Sequence, residues 1–311
     1  MPREQSTTVL VLDRPGGPRP PYPEWLRDAG RDLVLLTGRP GDGGGRPEGY
    51  AEAWFLPAYA TSAEAELRAL DLARRTRVGA IVAIDPADLV RAAGLRDLLD
   101  LPGQRKESAL AFADSVRTGE LLRRAGVPVV HREQVRRVAD VYWHAHAWGY
   151  PLRIRQRREH GRPVVAELRD EAEARACVAA PLITDPEAVP SLTVERLVRG
   201  ERRRVLGTVD ARGGWRLSTA DGSAHPELTS VARSALTALP AAPGYPYLVE
   251  VLRTDRGEWL VDTVTDAGAV AGAGHTALRA LVRQQAGLDV PSETEPETQS
   301  ESEPELEKVA P

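Results

Sequence analysis

Cysteine and lysine are nearly absent from this 311-residue chain. The single cysteine, Cys177, excludes an internal disulfide and a cysteine-based metal cluster. Lysine occurs only twice, as Lys106 and Lys308, beside 39 arginines. Because Lys308 lies in the C-terminal tail, the rest of the chain offers one lysine for any chemistry that needs an amine.

Long apolar runs are missing as well. No run approaches the roughly 20 residues that cross a bilayer. The N-terminal sequence MPREQSTTVLVL lacks the layout of a signal peptide. We therefore expect a cytoplasmic protein without membrane association. A hydrophobic content of 42% with mixed charge is typical of a globular protein, and the length is sufficient for two or three domains.

Negative charge is concentrated at the C-terminus. The last 21 residues contain seven Glu and one Lys, whereas the other 290 carry a net charge of +2. A nearly neutral body argues against a dedicated nucleic-acid-binding protein, which needs a basic surface to displace counterions. The tail is poor in apolar residues and rich in Glu, Pro and Ser, so we expect disorder there. It could serve as a solubilising appendage or bind a partner.

Strand-like and helix-like segments alternate up to about Gly103. The strand-like segments are 7–13, 31–40, 51–57 and 78–85, and the helix-like segments are 22–30, 62–77 and 86–100. This alternation predicts an open parallel sheet. One long helix is predicted over 107–126. Beyond it, hairpins and antiparallel strands interspersed with helices predict an α+β region.

Five arginines lie in one short segment, RIRQRREHGRPVV, residues 153–165. Two β-like runs flank a turn, which predicts a hairpin. Such a hairpin could hold nucleotide phosphates, bind nucleic acid or be a solvated edge. The near-neutral charge of the body disfavours nucleic acid.

Four segments together resemble the ATP-grasp fold. The linker and first helices of that fold are similar to GLRDLLDLPGQRKESALAFADSVRTGELLRRAGVPVV. The hairpin of its N-lobe is similar to GYPLRIRQRREHGRPVVAELRDEAEARA. LTVERLVRGER resembles the interlobe strand, and YLVEVLRTDRGEWLVDTVTDAG the strand pair that carries magnesium ligands. The order and spacing of these segments agree over about residues 5–290.

The resemblance implies an α/β plus α+β fold, in which a Rossmann-like domain precedes a two-lobed ATP-grasp domain. The implied boundaries are 1–103 for the Rossmann-like domain, 104–180 for the N-lobe, 181–290 for the C-lobe and 291–311 for the acidic tail. Members of this family use ATP to convert a carboxylate to an acyl phosphate, which an amine or thiol then attacks. ATP and Mg²⁺ are the implied cofactors, and a small-molecule or peptide carboxylate is the implied substrate.

For the nucleotide, the resemblance singles out four positions. Arg155 stands where a phosphate-binding lysine is usual, and a guanidinium also binds phosphate. Glu195 matches the glutamate that faces the adenine amino group, and the backbone of Leu197 matches the base-pairing edge. Glu201 matches the carboxylate that accepts the ribose hydroxyls. The alternative is that Glu195 and Glu201 are solvent-facing strand carboxylates.

For the metal, Glu250 and Asp262 match the two acidic ligands. Val264 then stands where an amide oxygen belongs, and valine cannot bind Mg²⁺. Asp266 reverses the charge of a family arginine. A second family lysine falls at Ser115 or Gly119, and neither is charged.

These replacements favour an eroded active site. Losing one transition-state contact costs on the order of 10²–10³ in rate. Several of the family positions that make such contacts carry other residues here. The first hypothesis is therefore a weak nucleotide binder or a non-catalytic partner in a ligase pathway. The alternative is an active ATP-dependent carboxylate–amine ligase with arginine in place of lysine. A protein partner and a homodimer are open expectations under either hypothesis.

Overall fold

The structure is a computed structural model that describes residues 7–15, 20–39, 46–157, 164–179, 191–210, 212–219, 225–266 and 275–289. The acidic tail and the loop at 158–163 lie outside these ranges, so the predictions for them stay predictions. The described secondary structure forms three four-stranded sheets and the helices that cover them.

The first sheet is parallel, as the alternation of segments predicts. Its strands are β1 (Thr8–Asp13), β2 (Asp32–Thr37), β3 (Glu52–Phe55) and β4 (Val78–Val82), in the order β3-β2-β1-β4. The neighbouring helices are α1 (Tyr22–Trp25), α2 (Glu64–Arg75) and α3 (Pro86–Leu99). β1 and β2 are apolar at consecutive positions because both of their faces are buried.

The second sheet is antiparallel. Its strands are β5 (Arg132–Val135), β6 (Leu152–Gln156), β7 (Val164–Leu168) and β8 (Leu192–Arg196), in the order β5-β8-β6-β7. Helices α6 (Val138–Trp148) and α7 (Glu171–Ala179) cover one face. Because β8 belongs to this sheet, the predicted boundary at residue 180 falls inside it, and the chain enters the next sheet at Gly200.

The third sheet is antiparallel as well. Its strands are β9 (Gly200–Val209), β10 (Trp215–Thr219), β11 (Pro246–Thr254) and β12 (Trp259–Asp266), in the order β10-β9-β11-β12. Helix α8 (Pro226–Thr237) packs on one face. The last described helix, α9 (His275–Gln285), packs back against the first sheet through Val282.

The predicted long helix over 107–126 is wrong in one respect, because it is two helices. α4 (Lys106–Ala113) and α5 (Ser115–Arg124) meet at Asp114, which has extended backbone angles. The Asp114 carboxylate accepts hydrogen bonds from the amides of Val116 and Arg117, and so caps the start of α5. Both helices pack on the third sheet, where the rings of Phe112 and Tyr247 stack with centroids 4.2 Å apart.

Gly200 marks the passage from the second sheet to the third, and we expect Gly200→Ala to lower the free energy of unfolding by about 2–3 kcal/mol. A Cβ at this position would lie 2.0 Å from the carbonyl oxygen of Arg253, and its φ is +154°. Gly213→Ala is the matched control, since its φ is +84° but no atom lies within 4 Å of the added Cβ. Its cost is left-handed strain alone, about 1 kcal/mol. Urea denaturation measures both, and equal losses would contradict the steric argument.

Candidate functional site

Charged side chains line the face of the second sheet that its helices do not cover. One row crosses all four strands, because Glu167, Arg153, Glu195 and Arg132 are aligned by the strand register. Their charges alternate. Arg153 Nε lies 3.1 Å from Glu167 Oε1, and Arg153 Nη1 lies 3.5 Å from Glu195 Oε1. Arg132 donates to Glu195 Oε2 from Nε at 2.9 Å and from Nη2 at 2.6 Å.

Arg132 also joins the second sheet to the third. Its Nη2 lies 3.2 Å from Asp262 Oδ1, and its Nη1 donates to the Asp262 carbonyl oxygen at 3.2 Å. The other carboxylate oxygen of Asp262 accepts from Arg202 Nη1 at 2.8 Å. We call this series the charge chain: Glu167, Arg153, Glu195, Arg132, Asp262 and Arg202.

The middle of the charge chain is buried. The side chains of Arg132, Glu195 and Asp262 are 6%, 2% and 4% exposed. Buried ions are costly unless they are paired and hydrogen-bonded, and each of these three has at least two partners. The centre of the charge chain is therefore a structural network in which each buried charge is paired with opposite charges.

A backbone irregularity places Asp262 in this network. The register between β11 and β12 shifts after Glu250, which pairs with Thr263, whereas Val251 pairs with Val261. Asp262 consequently has no cross-strand partner. The segment before β5 fixes the same point, because the amide of Val130 donates to the Val261 carbonyl at 3.0 Å.

The positions predicted for the nucleotide have partners within the protein. Arg155 Nη1 lies 3.5 Å from Glu195 Oε1, so Glu195 faces three arginines. The amide of Leu197 donates to the Pro151 carbonyl at 3.0 Å, which occupies the N–H of the expected base-pairing edge. Glu201 forms an ion pair with Arg203.

Glu195 and Glu201, for which a solvent-facing position was the alternative, differ in burial. Glu195 is 2% exposed, so that alternative does not hold for it. Glu201 is 53% exposed, as a solvent-facing strand carboxylate would be. The predicted nucleotide positions therefore do not form one open set of binding groups.

The two predicted metal ligands are each engaged by arginine. Glu250 accepts from Arg204 Nε at 2.9 Å and from Thr263 Oγ1 at 3.1 Å, whereas Asp262 belongs to the charge chain. Thr263 stands opposite Glu250 in the strand register, and Val264 packs in the core. Mg²⁺ prefers several oxygen ligands in octahedral geometry. Among the described residues no group of three His, Cys, Asp or Glu side chains could hold a metal, and Mg²⁺ at Glu250 and Asp262 would have to displace the arginines that pair with them.

Two further positions that the resemblance singles out, Asp266 and Ser115, are buried. Asp266 is 5% exposed, and burial raises its pKa to about 7 despite a hydrogen bond from Gln104 Nε2 at 3.1 Å. Ser115, at a position expected for lysine, is fully buried and donates through Oγ to the Arg157 carbonyl at 3.2 Å. Arg157 Nε in turn donates to Asp114 Oδ1 at 2.7 Å. The base of the arginine hairpin is thus attached to the start of α5.

Comparison with known proteins identifies the fold. No family model matches the chain, and no curated protein matches it by sequence. An L-amino acid ligase from Bacillus licheniformis is similar in structure, with a TM-score of 0.68 and 15% identity over 91% of this chain and 74% of that chain. An N5-carboxyaminoimidazole synthetase from Staphylococcus aureus has a TM-score of 0.64 and 13% identity, over 92% and 78%. This chain has the ATP-grasp fold.

A third ATP-grasp structure was solved with nucleotide. It is the biotin carboxylase domain of the Hydrogenobacter thermophilus 2-oxoglutarate carboxylase, in complex with MgADP, ADP and bicarbonate. Its TM-score is 0.63 at 15% identity, over 92% of this chain and 70% of that chain. Likeness at this level of identity establishes the ATP-grasp fold of our chain and leaves its activity to be argued from its own residues.

Sequence reasoning missed the central residue of the site. Arg132 lies in the segment VVHREQV, which gives no motif, and Arg202 lies in the basic run RRRV (202–205), which gives none either. The available signal was weak. Arg132 lies three residues before Val135, which is buried in the same strand. Because side chains alternate between the two faces of a strand, Arg132 has to face away from the apolar core that Val135 enters.

Proposed function

We propose that this protein has an eroded ATP-grasp active site and acts as a weak nucleotide binder or a non-catalytic partner in a ligase pathway. One observation carries the proposal: the charge chain occupies the predicted adenine and metal positions with ion pairs between the protein's own residues. Glu195 and Asp262 are both held by Arg132. A nucleotide or a metal ion would have to displace that guanidinium.

The cost of such displacement supports the proposal. Removing one partner from a buried ion pair typically costs about 3–5 kcal/mol, because the other charge is left uncompensated. That loss would be subtracted from any binding free energy, and 1.4 kcal/mol is a tenfold change in Kd. Tight Mg-ATP binding is therefore not expected at this site.

A second candidate is an active ATP-dependent carboxylate–amine ligase, and one observation favours it. Arg132, Arg153 and Arg155 surround a single carboxylate, Glu195. The charge chain itself contains three arginines and three carboxylates, so Arg155 adds one positive charge that could meet a phosphate, since guanidinium groups bind phosphate well. The similar structures include enzymes named as ligases and synthetases, some of them complexed with ADP or ATP. The substrate would then be a small-molecule or peptide carboxylate.

Location and assembly are further parts of the proposal. Within the described residues no helix is long and apolar enough to cross a bilayer. A cytoplasmic location and a homodimer remain expectations.

Isothermal titration with ATP and MgCl₂ distinguishes the two candidates. For the eroded site we expect a Kd weaker than about 1 mM, and no release of phosphate from ATP on prolonged incubation. An active ligase should instead bind with micromolar affinity, and both Arg155→Ala and Asp262→Ala should abolish that binding.

Arg74→Ala is the control for these variants. Arg74 is 78% exposed on α2 and forms a surface ion pair with Asp71, so its loss should leave both folding and binding unchanged. Denaturation midpoints of all variants separate loss of binding from loss of fold. Micromolar binding to the unmodified protein that survives Arg74→Ala but not Arg155→Ala would overturn the eroded-site proposal.

A further inference from the structure

A groove of about 500 Å³ lies between α5 and the segments that follow β5 and β6, and it shares no residue with the charge chain. Its apolar lining consists of Leu110 and Leu121, which are half-buried, and Val116, which is 7% exposed. Gln134 and seven charged residues, four of them arginines, complete the lining. A groove of this kind suits an occupant that has both apolar and charged side chains.

Two of the four arginines are paired inside the groove. Arg117 Nη2 lies 3.2 Å from Glu107 Oε1, and Arg157 Nε lies 2.7 Å from Asp114 Oδ1. Because Asp114 also caps α5, its pair with Arg157 belongs to the local fold. The charges of these four residues sum to zero, so they give the groove no net charge.

The other two arginines, Arg124 and Arg136, are exposed. Within the described part of the chain, no carboxylate lies within ion-pair distance of either guanidinium. Glu120, the remaining acid of the groove, precedes Arg124 by one turn of α5 but forms no ion pair with it. Because both arginines line the groove and reach solvent, an acidic occupant can contact them directly.

The acidic tail contains a segment with the complementary pattern. In EPELEKV, residues 303–309, Leu306 lies between Glu305 and Glu307. It is the only leucine in the last 21 residues, where the other large apolar residue is Val309. A carboxylate on either side of a leucine matches an apolar groove that carries two arginines, since carboxylates and guanidinium groups form strong paired hydrogen bonds.

The tail begins close to the helices that line the groove. Arg96 connects α9 to α4, since it donates to Gln285 Oε1 at 3.1 Å and to the Gln104 carbonyl at 3.4 Å, and Gln104 lies two residues before α4. Leu306 follows Asp289, the last described residue, by 17 positions. An extended chain of that length spans up to about 55–60 Å, so Leu306 can reach the groove.

We propose that the acidic tail docks in this groove through residues 303–309. In an extended segment with three residues per turn, Leu306 and Val309 share the face that enters the groove, and Glu305 and Glu307 lie beside it. The two glutamates then pair with the arginines that no described carboxylate neutralises. The tail acts as an intramolecular ligand, which an acidic partner would have to displace before it could use the same arginines.

The scarcity of lysine provides a specific test on the full chain. A lysine-specific endoprotease can cut only after Lys106, the first residue of α4, and after Lys308, inside the proposed docking segment. Mass spectrometry gives the initial rate of cleavage after Lys308, and a synthetic peptide of residues 300–311 gives the rate for the free sequence. A tethered segment has an effective concentration on the order of millimolar, so we expect cleavage in the full chain to be about threefold slower than in the peptide, or slower still.

Variants at the groove and in the tail locate this protection. The double variant Arg124→Glu/Arg136→Glu should be cleaved at nearly the peptide rate. Leu306→Ser, compared with a peptide that carries the same change, should also lose protection, and it leaves the groove intact. Arg74→Glu/Arg77→Glu is the matched control, because it changes the net charge equally at two exposed arginines outside the groove, and it should keep full protection.

Three results would overturn the proposal. The first is equal cleavage rates in the unmodified chain and the peptide. The second is protection that persists in Arg124→Glu/Arg136→Glu when its denaturation midpoint matches that of the control variant. The third is protection that rises with protein concentration, since the tail of one copy would then occupy the groove of another.

Discussion

Replacing Arg132 with methionine is expected to lower the free energy of unfolding by about 3–5 kcal/mol. Methionine keeps much of the side-chain length but removes every donor. Glu195 and Asp262 would remain buried, and the two carboxylates would lose the guanidinium that holds both. Urea denaturation, with the midpoint and the slope fitted separately, measures the loss.

Arg204→Met is the matched control for this experiment. Arg204 also pairs with one glutamate, Glu250, but it is 58% exposed. Ion pairs in solvent contribute about 0–1 kcal/mol, so this variant should be nearly neutral. Similar losses for the two variants would show that burial does not set the energetics of the charge chain, and the structural argument for an eroded site would fail with it.

The same comparison bears on function. If the Arg132 contacts contribute strongly to stability, the groups at the predicted adenine and metal positions are committed to holding the second and third sheets together. A residue committed in this way cannot also bind a ligand without a loss of stability. The proposed erosion of the site would then have a structural cause, in addition to the missing lysine and amide positions.

Apolar patterning predicted much of the fold. The runs in β1 and β2 and the spacing in α2 follow directly from burial, and the structure contains these elements. The break at Asp114 escaped prediction because both flanking segments are apolar on one face, whereas the capping hydrogen bonds of one aspartate decide the boundary.

The candidate site was less predictable. Glu195 and Asp262 were identified through the resemblance, but their common partner, Arg132, lies more than 60 residues from either. Contacts between distant strands depend on register. A single register shift after Glu250 leaves Asp262 without a cross-strand partner, and no pattern in the local sequence indicates that shift.

Asp266→Asn is expected to stabilise the protein at pH 8 by up to about 4 kcal/mol, and to have little effect near pH 4. Burial raises the pKa of Asp266 to about 7, whereas an aspartate in the unfolded chain titrates near 3.9. Between these values the folded state binds more protons than the unfolded state, so stability falls as the pH rises from about 4 to 7. Asparagine keeps an oxygen that can accept from Gln104 but cannot become charged.

Asp88 provides a second, independent case of the same effect. It is fully buried in α3, it accepts a hydrogen bond from the Tyr59 hydroxyl at 2.9 Å, and burial raises its pKa to about 7. Each single substitution should therefore remove part of the decline in stability between about pH 4 and pH 7, and the double variant should remove more than either. Asp97→Asn, at a 39% exposed carboxyl paired with Arg105, should leave the decline unchanged.

If Asp266→Asn changed stability equally at both pH values, its effect would come from packing, because only a titrating buried carboxyl makes the gain depend on pH.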